Sequence, residues 1–179
     1  TFQARIKNLT TTEQNINNID IPPFDQRKKL VLPSEIQGIG NVNITGEMSG
    51  KFSDFHSKLA IETSQGKLSL DARYWNMNQT DFLKGTITTN QLNLGTFTKN
   101  SDLAEVDASL ETELAWNSKT GVNLKAKGQL PQLAFKGHTY TNIELDGEFT
   151  EKSFDGKVSI QDEFGLADFV GKINFESKI

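Results

Sequence analysis

The chain has 179 residues, 35 % of them hydrophobic, and a net charge of −4 with acids and lysines interleaved along its length. That length gives one domain of ordinary size, and the lack of a basic patch argues against nucleic acid as a partner. With no cysteine there is neither a disulfide scaffold nor a thiolate metal site, and no run approaches the roughly 20 apolar residues that span a bilayer.

Residues 1 to 9 alternate through Phe2, Ala4 and Ile6 and read as one strand. Residues 10 to 40 differ in kind. Thr10–Asn18 is polar, Pro22-Pro23 cannot continue a helix or a central strand, and Pro33–Ile36 has the form of one helical turn with proline at its start. This stretch is expected to be an irregular connection with a short helix, packed over one end or edge of a sheet.

From Asn41 strands dominate. Val42 and Ile44 alternate, and Gly46 and Gly50 are expected to bracket a turn or bulge before Phe52 and Phe55. Leu59 and Ile61 follow, then a hairpin turn at Gln65-Gly66, then Leu68, Leu70, Ala72 and Tyr74. Asn76–Asp81 reads as a polar loop, and Gly85–Thr89 as a threonine-rich strand. Leu92, Leu94 and Phe97 mix the two periods, which predicts a short strand followed by a single helical turn. Val106 to Trp116 is the longest clean alternation. Asn117–Gly121 turns, Val122 to Leu130 answers on the way back, Leu133 and Phe135 follow, and Lys136-Gly137-His138 turns again.

Residues 140 to 175 then write one phrase three times. Ile143, Leu145, Gly147 and Phe149 alternate with polar residues, as do Phe154, Gly156, Val158 and Ile160, and then Phe169, Gly171, Ile173 and Phe175. Such alternation gives each strand one apolar and one wet face. A glycine in the middle of each run leaves a gap on the apolar face and suggests a bend or a close backbone approach.

Strands about every ten residues with turn signals between them predict an all-β fold, and no long helical pattern supports βαβ units. The choice lies between a closed sandwich or barrel and an open, elongated sheet. Short-period self-similarity, on a chain that opens and closes inside an alternating pattern, favours the elongated, solenoid-like sheet. The same pattern predicts a segment of a longer protein, with any anchor or address signal outside it.

No residue set points to catalysis, since the serines lack a nucleophile-elbow context. Trp75, Tyr74 and Trp116 are candidates for a sugar-stacking platform, with core or rim packing as the commoner role of such residues. Asp54, Asp71, Asp81 and Asp162-Glu163 lack the spacing of a dedicated calcium loop, and turn chemistry accounts for them. His56 and His138 have no partner pattern for zinc. Asn8, Asn43 and Asn78 begin Asn-Xaa-Thr triplets, which arise by chance. No cofactor is expected.

The order of the phrases carries a resemblance. Leu32-Pro33-Ser34-Glu35-Ile36-Gln37-Gly38-Ile39-Gly40 precedes Val42-Asn43-Ile44-Thr45-Gly46, Gly50-Lys51-Phe52-Ser53-Asp54-Phe55 and Thr63-Ser64-Gln65-Gly66-Lys67-Leu68. Gly85-Thr86-Ile87-Thr88-Thr89-Asn90-Gln91-Leu92 and Phe135-Lys136-Gly137-His138-Thr139-Tyr140 follow, leading into Phe154-Asp155-Gly156-Lys157-Val158. From about Leu30 onward this succession resembles the TamB group of AsmA-like proteins, the translocation and assembly module, in its Bacteroidota style.

The resemblance implies a large protein anchored in the inner membrane and crossing the periplasm. Its strands curl into a long apolar trough, the β-taco. It implies a role in outer-membrane assembly with a TamA or Omp85-type barrel partner, and cargo that is either phospholipid or outer-membrane protein clients. It carries over no catalytic residue, only the inward face of the strands. On this chain that face is expected to comprise Leu68, Leu70, Leu110, Leu114, Leu124, Ile143, Leu145, Val158, Ile160 and Ile173, with Gly128, Gly147, Gly156 and Gly171 leaving room for an acyl chain. A β-sandwich binding module of a surface or adhesin-like protein is the alternative. It predicts two sheets closed over a dry core.

Overall fold

The computed structural model describes residues 1–16, 38–98, 100–117 and 119–175. The expected connection at Pro22-Pro23 and helical turn at Pro33–Ile36 lie outside the described residues. Ten strands form one sheet in strictly sequential order, each antiparallel to the next. They are β1 Phe2–Thr12, β2 Asn41–Lys51, β3 Asp54–Thr63, β4 Gly66–Met77, β5 Thr80–Asn93, β6 Leu103–Asn117, β7 Gly121–Phe135, β8 His138–Thr150, β9 Ser153–Asp162 and β10 Gly165–Asn174. Two helical segments, α1 Glu13–Ile16 and α2 Leu94–Thr98, follow β1 and β5. Among the described residues no helix is long and apolar enough to cross a membrane.

The chain is therefore an all-β, open, curved antiparallel sheet. A sandwich needs two sheets, and all ten strands belong to one. The buried set is correspondingly thin. Among the described residues only eight apolar ones are buried, and no large side chain is enclosed completely. A packed core of the usual kind would enclose several.

Most strands run longer than their alternation suggests, because the turns between them are tight. Gly46 and Gly50 do not bracket a turn. They sit in the extended ladder of β2, opposite Leu59 and Phe55, and the chain turns at Phe52-Ser53 instead. The expected loop at Asn76–Asp81 shrinks to Asn78-Gln79, whose left-handed φ of 53° and 63° suit the twist of a two-residue hairpin. Lys136-Gly137 makes the same turn at φ 51° and 78°, as expected from its glycine. α2 stands where the mixed period placed a helical turn.

Several strands carry an irregularity. The ladder slips between Ile6 and Leu9 at one edge of the sheet, and between Thr89 and Leu92 and between Asp107 and Ser109 on adjacent ladders farther in. Pro131 lies beside the last of these, between Leu130 and Gln132, where a ladder donor is not needed. Gln91 and Asn142 adopt left-handed φ of 50° there. The Gln91 amide donates to the Asp107 carboxylate at 2.6 Å, and the Asn142 amide group to the Gln161 carbonyl at 3.1 Å. A bulge bends its strand, and bulges aligned across neighbouring strands bend the sheet along a line.

Candidate functional site

The register assembles the alternating apolar residues of all ten strands on one face, in rows that cross the strands. One row runs Leu59, Leu70, Ile87, Leu110, Gly128, Leu145, Val158, Phe169. A second runs Leu83, Leu114, Leu124, Phe149, Phe154, Ile173. A third pairs Ile61 with Leu68, and farther along Ile143 with Ile160. All ten residues proposed from sequence as groove lining fall in these three rows. They range from Ile143, 4 % exposed, to Ile173, 44 % exposed. At about 4.8 Å per strand, ten strands carry the face over about 43 Å.

Between the first two rows runs a crease of small side chains: Ser57, Ala72, Gly85, Thr112, Ala126, Gly147, Gly156, Gly171. Ser57, Ala72, Thr112 and Ala126 are buried there by their larger neighbours. The glycines do not all leave space for a ligand. A Cβ on Gly147 would press on the Phe154 ring, 2.9 Å from Cζ, and one on Gly156 would lie 2.5 Å from the Gly147 Cα. The close backbone approach is present. The expected gap is filled at Gly147 by Phe154.

The hydroxyls on this face turn inward to the backbone. Ser57 donates to the Ala72 carbonyl at 3.3 Å, Thr112 to Gly85 at 3.2 Å, Thr89 to Val106 at 3.0 Å and Thr63 to Gly66 at 3.0 Å. Their donors are thereby spent and their methyl and methylene groups face outward. The polar groups that stay open on the apolar face collect at its two lips. At one, the Tyr74 hydroxyl donates to the Asp81 carboxylate at 2.5 Å and the Asn76 amide donates to the same oxygen at 2.8 Å. At the other, His138 Nε2 lies 3.3 Å from Asp162, with the ring edge-on to Tyr140 at 4.4 Å. The Asp162 carboxyl is held below its ordinary range by the Phe164 backbone N–H, against an opposing burial penalty, with His138 adding to the lowering.

One lip is aromatic, which the sequence pattern did not reveal. Phe52, Phe2, Phe55, Tyr74 and Trp116 form a chain of rings with centroids 4.9 to 6.1 Å apart. Phe149, Phe154 and Phe169 continue the series farther along. The proposed sugar platform is not assembled. Trp75 points to the opposite face, where it stacks on Phe82 at 5.1 Å under Arg73, away from Tyr74 and Trp116.

That opposite face is a charge ladder. Asp54 meets Arg73 at 2.6 Å, Lys67 meets Glu62 at 2.9 Å and Lys127 meets Asp146 at 2.8 Å, while Lys84 pairs with Glu113. Arg73 and Lys84, hydrogen-bonded to their partners, hold the Asp54 and Glu113 carboxyls below the ordinary range, and Asp146 raises Lys127. These pairs are exposed and contribute little stability. Asp71 meets His56 at 2.8 Å and Lys58 at 3.7 Å on the same face, and no acidic or histidine group among the described residues is arranged to hold a metal. The larger surface hollows also lie on this side. One of about 720 Å3 has a backbone floor at Gly85 and Gly147, walled by Lys84, Glu113, Lys125 and Asp155. The apolar face is an open surface by contrast, with a hollow of about 440 Å3 at the His138 lip.

Burial first, then the Asp81 hydrogen bond, pushes the Tyr74 hydroxyl up to about 12 from 10.0. The unfolded chain thus releases this proton before the folded one, so the contribution is complete below pH 10 and is lost as pH rises toward about 12. The expected loss is roughly 1 kcal/mol, because the group is only partly buried and solvent screens it. Urea midpoints of the wild type and Tyr74→Phe should converge across that window, and parallel curves would rule the coupling out.

No protein-family model matches the chain, and neither a curated protein nor a solved structure matches it.

Proposed function

We propose that this chain is a segment of a periplasm-spanning, TamB-like protein whose apolar face carries the acyl chains of phospholipid between two membranes. The observation that carries this reading is the continuity of the face. Rows of aliphatic side chains cross the described sheet, the hydroxyls among them are spent on backbone carbonyls, and ionisable groups stand only at the lips. The order of phrases resembling the TamB group supports it from sequence.

The physical need for such a face is large. Two acyl tails of about 15 methylenes each, at about 0.8 kcal/mol per methylene, oppose passage through water by about 24 kcal/mol. A surface offering the same aliphatic lining at every strand offsets most of that cost without binding any one position tightly. The lips keep the headgroup near water and near groups that hydrogen-bond. A built pocket would do the opposite, holding one ligand in one pose.

The test is native purification of the chain from a bacterial envelope, followed by mass spectrometry of what it retains. Phospholipid at stoichiometric amounts is expected. Retention of unfolded outer-membrane protein without lipid would assign the same face to client strands, and neither would reject a cargo-carrying face.

A further inference from the structure

The apolar face carries charge of one sign only. Among the described residues, its paired positions hold no lysine or arginine and just two carboxylates, Asp81 and Asp162. Asp162 has the His138 ring beside it. Asp81 has no basic partner among the described residues. The Tyr74 hydroxyl and the Asn76 amide both donate to its Oδ1, and its Oδ2 has no donor among the described residues. Asp81 stands on β5 between Asn76 of β4 and Trp116 of β6. These are interior strands, flanked by three strands on one side and four on the other.

A half-buried carboxylate beside hydrocarbon calls for a cation. A metal ion does not suit it, since calcium takes about 6–8 oxygen ligands and no metal-holding group of side chains surrounds Asp81 among the described residues. An organic ammonium does. Trp116 faces Asp81 across the ladder, and the Tyr74 ring lies 6.1 Å from the Trp116 ring. Indole is the strongest aromatic partner for a cation, and ammonium recognition by rings is worth most where water is partly excluded. The free Oδ2 accepts one N–H of a primary ammonium while the rings take its remaining charge. Two residues inward on the same strands, Leu83 and Leu114 meet and open the aliphatic row. A ligand that fits both features is an amphiphile with an ammonium close to its tails.

We propose that Asp81 and Trp116 bind the primary ammonium of an ethanolamine-type phospholipid headgroup, so that the face selects such lipids over those with anionic headgroups. The inference rests on the lipid-carrying reading above and adds to it a choice among lipids. The phosphate stays in water beyond the lip, because no paired position on this face offers it a basic side chain. An anionic headgroup at the same place meets only the Asp81 charge and is repelled.

The test offers the whole chain vesicles of phosphatidylethanolamine and phosphatidylglycerol in equal amounts and with identical tails. Mass spectrometry then reads the ratio retained. The wild type enriches the ethanolamine lipid about fivefold, the scale of one partly desolvated cation–π contact. Asp81→Asn keeps the shape and an acceptor for Tyr74 and Asn76, and returns the ratio to that supplied. Trp116→Leu keeps the carboxylate and at least halves the enrichment. Asp155→Asn makes the same change of charge on the opposite face and leaves the wild-type ratio, with urea midpoints confirming that each variant is folded. Lipid retained by the wild type in the supplied ratio overturns the headgroup site and leaves the carrying face standing. So does unchanged enrichment in Asp81→Asn, or an equal fall in Asp155→Asn. Retention of neither lipid rejects the carrying face, and the site with it.

Discussion

Gly85→Val is expected to cost about 3 kcal/mol or more, the upper end of what overpacking a close-fitted site produces. Gly85 lies in the middle of β5, in the crease, between Ala72 of β4 and Thr112 of β6. A Cβ there would stand 2.5 Å from the Ala72 Cβ and closer still to the Ala72 Cα and the Asp71 carbonyl oxygen. Two of those three atoms are backbone of a paired strand. They can recede only by opening the ladder, which removes hydrogen bonds on both sides of Gly85. The Thr112 hydroxyl donates to the Gly85 carbonyl and would lose its partner as well. A sheet with one thin layer has no second core to absorb the shift. Gly137→Asn is the control. It sits in a two-residue turn at φ 78° with nothing within 4 Å of a Cβ, a conformation that asparagine tolerates. Its cost should stay within about 1 kcal/mol. Urea unfolding of the two variants beside the wild type decides the matter, and equal midpoints would mean the crease is not close-packed.

The sequence reveals the strands because alternation is a local property, and it reveals the shared face because tight turns preserve the parity from strand to strand. The hairpin turn itself is displaced by one residue: the chain turns at Ser64-Gln65 rather than at the expected Gln65-Gly66, so Glu62 meets Lys67 where the expected turn would have set it against Ser69. What escapes is whatever depends on register between strands far from a turn. The crease needs Ser57, Ala72, Gly85 and Thr112 to meet across four strands, and none of them is unusual in its own strand. The aligned bulges read only as broken rhythm, where Thr89 steps to Leu92 and Leu130 to Leu133. Pattern gives each break singly, and only the assembled ladder places them side by side. The long loop expected at Asn76–Asp81 failed for a related reason. Polar residues there continue both strands, since a strand facing water on one side needs only every second residue apolar.

Leu110→Arg is expected to lower phospholipid retention about tenfold while leaving the sheet folded. Leu110 stands on β6, in the row from Leu70 to Val158, with Ile87 on one side and Gly128 on the other. It is half-buried by neighbours in its own layer. A guanidinium facing hydrocarbon costs about 2.5–3.5 kcal/mol when it lies at the centre of a bilayer. On an open face the side chain reaches water past the lip, so about half of that cost survives, which still corresponds to about tenfold. The fold should tolerate it, since the same stem that covers Gly128 carries the charge outward. Glu111→Arg, one residue along on the charged face, makes a larger change in net charge and should leave retention unchanged. Leu145→Arg, two strands away in the same row, should repeat the effect of Leu110→Arg. Retained phosphorus per mole of folded protein measures all three. If the arginines on the apolar face and the arginine on the charged face behave alike, lipid is held by something other than this row, and the trough has no part in carrying it.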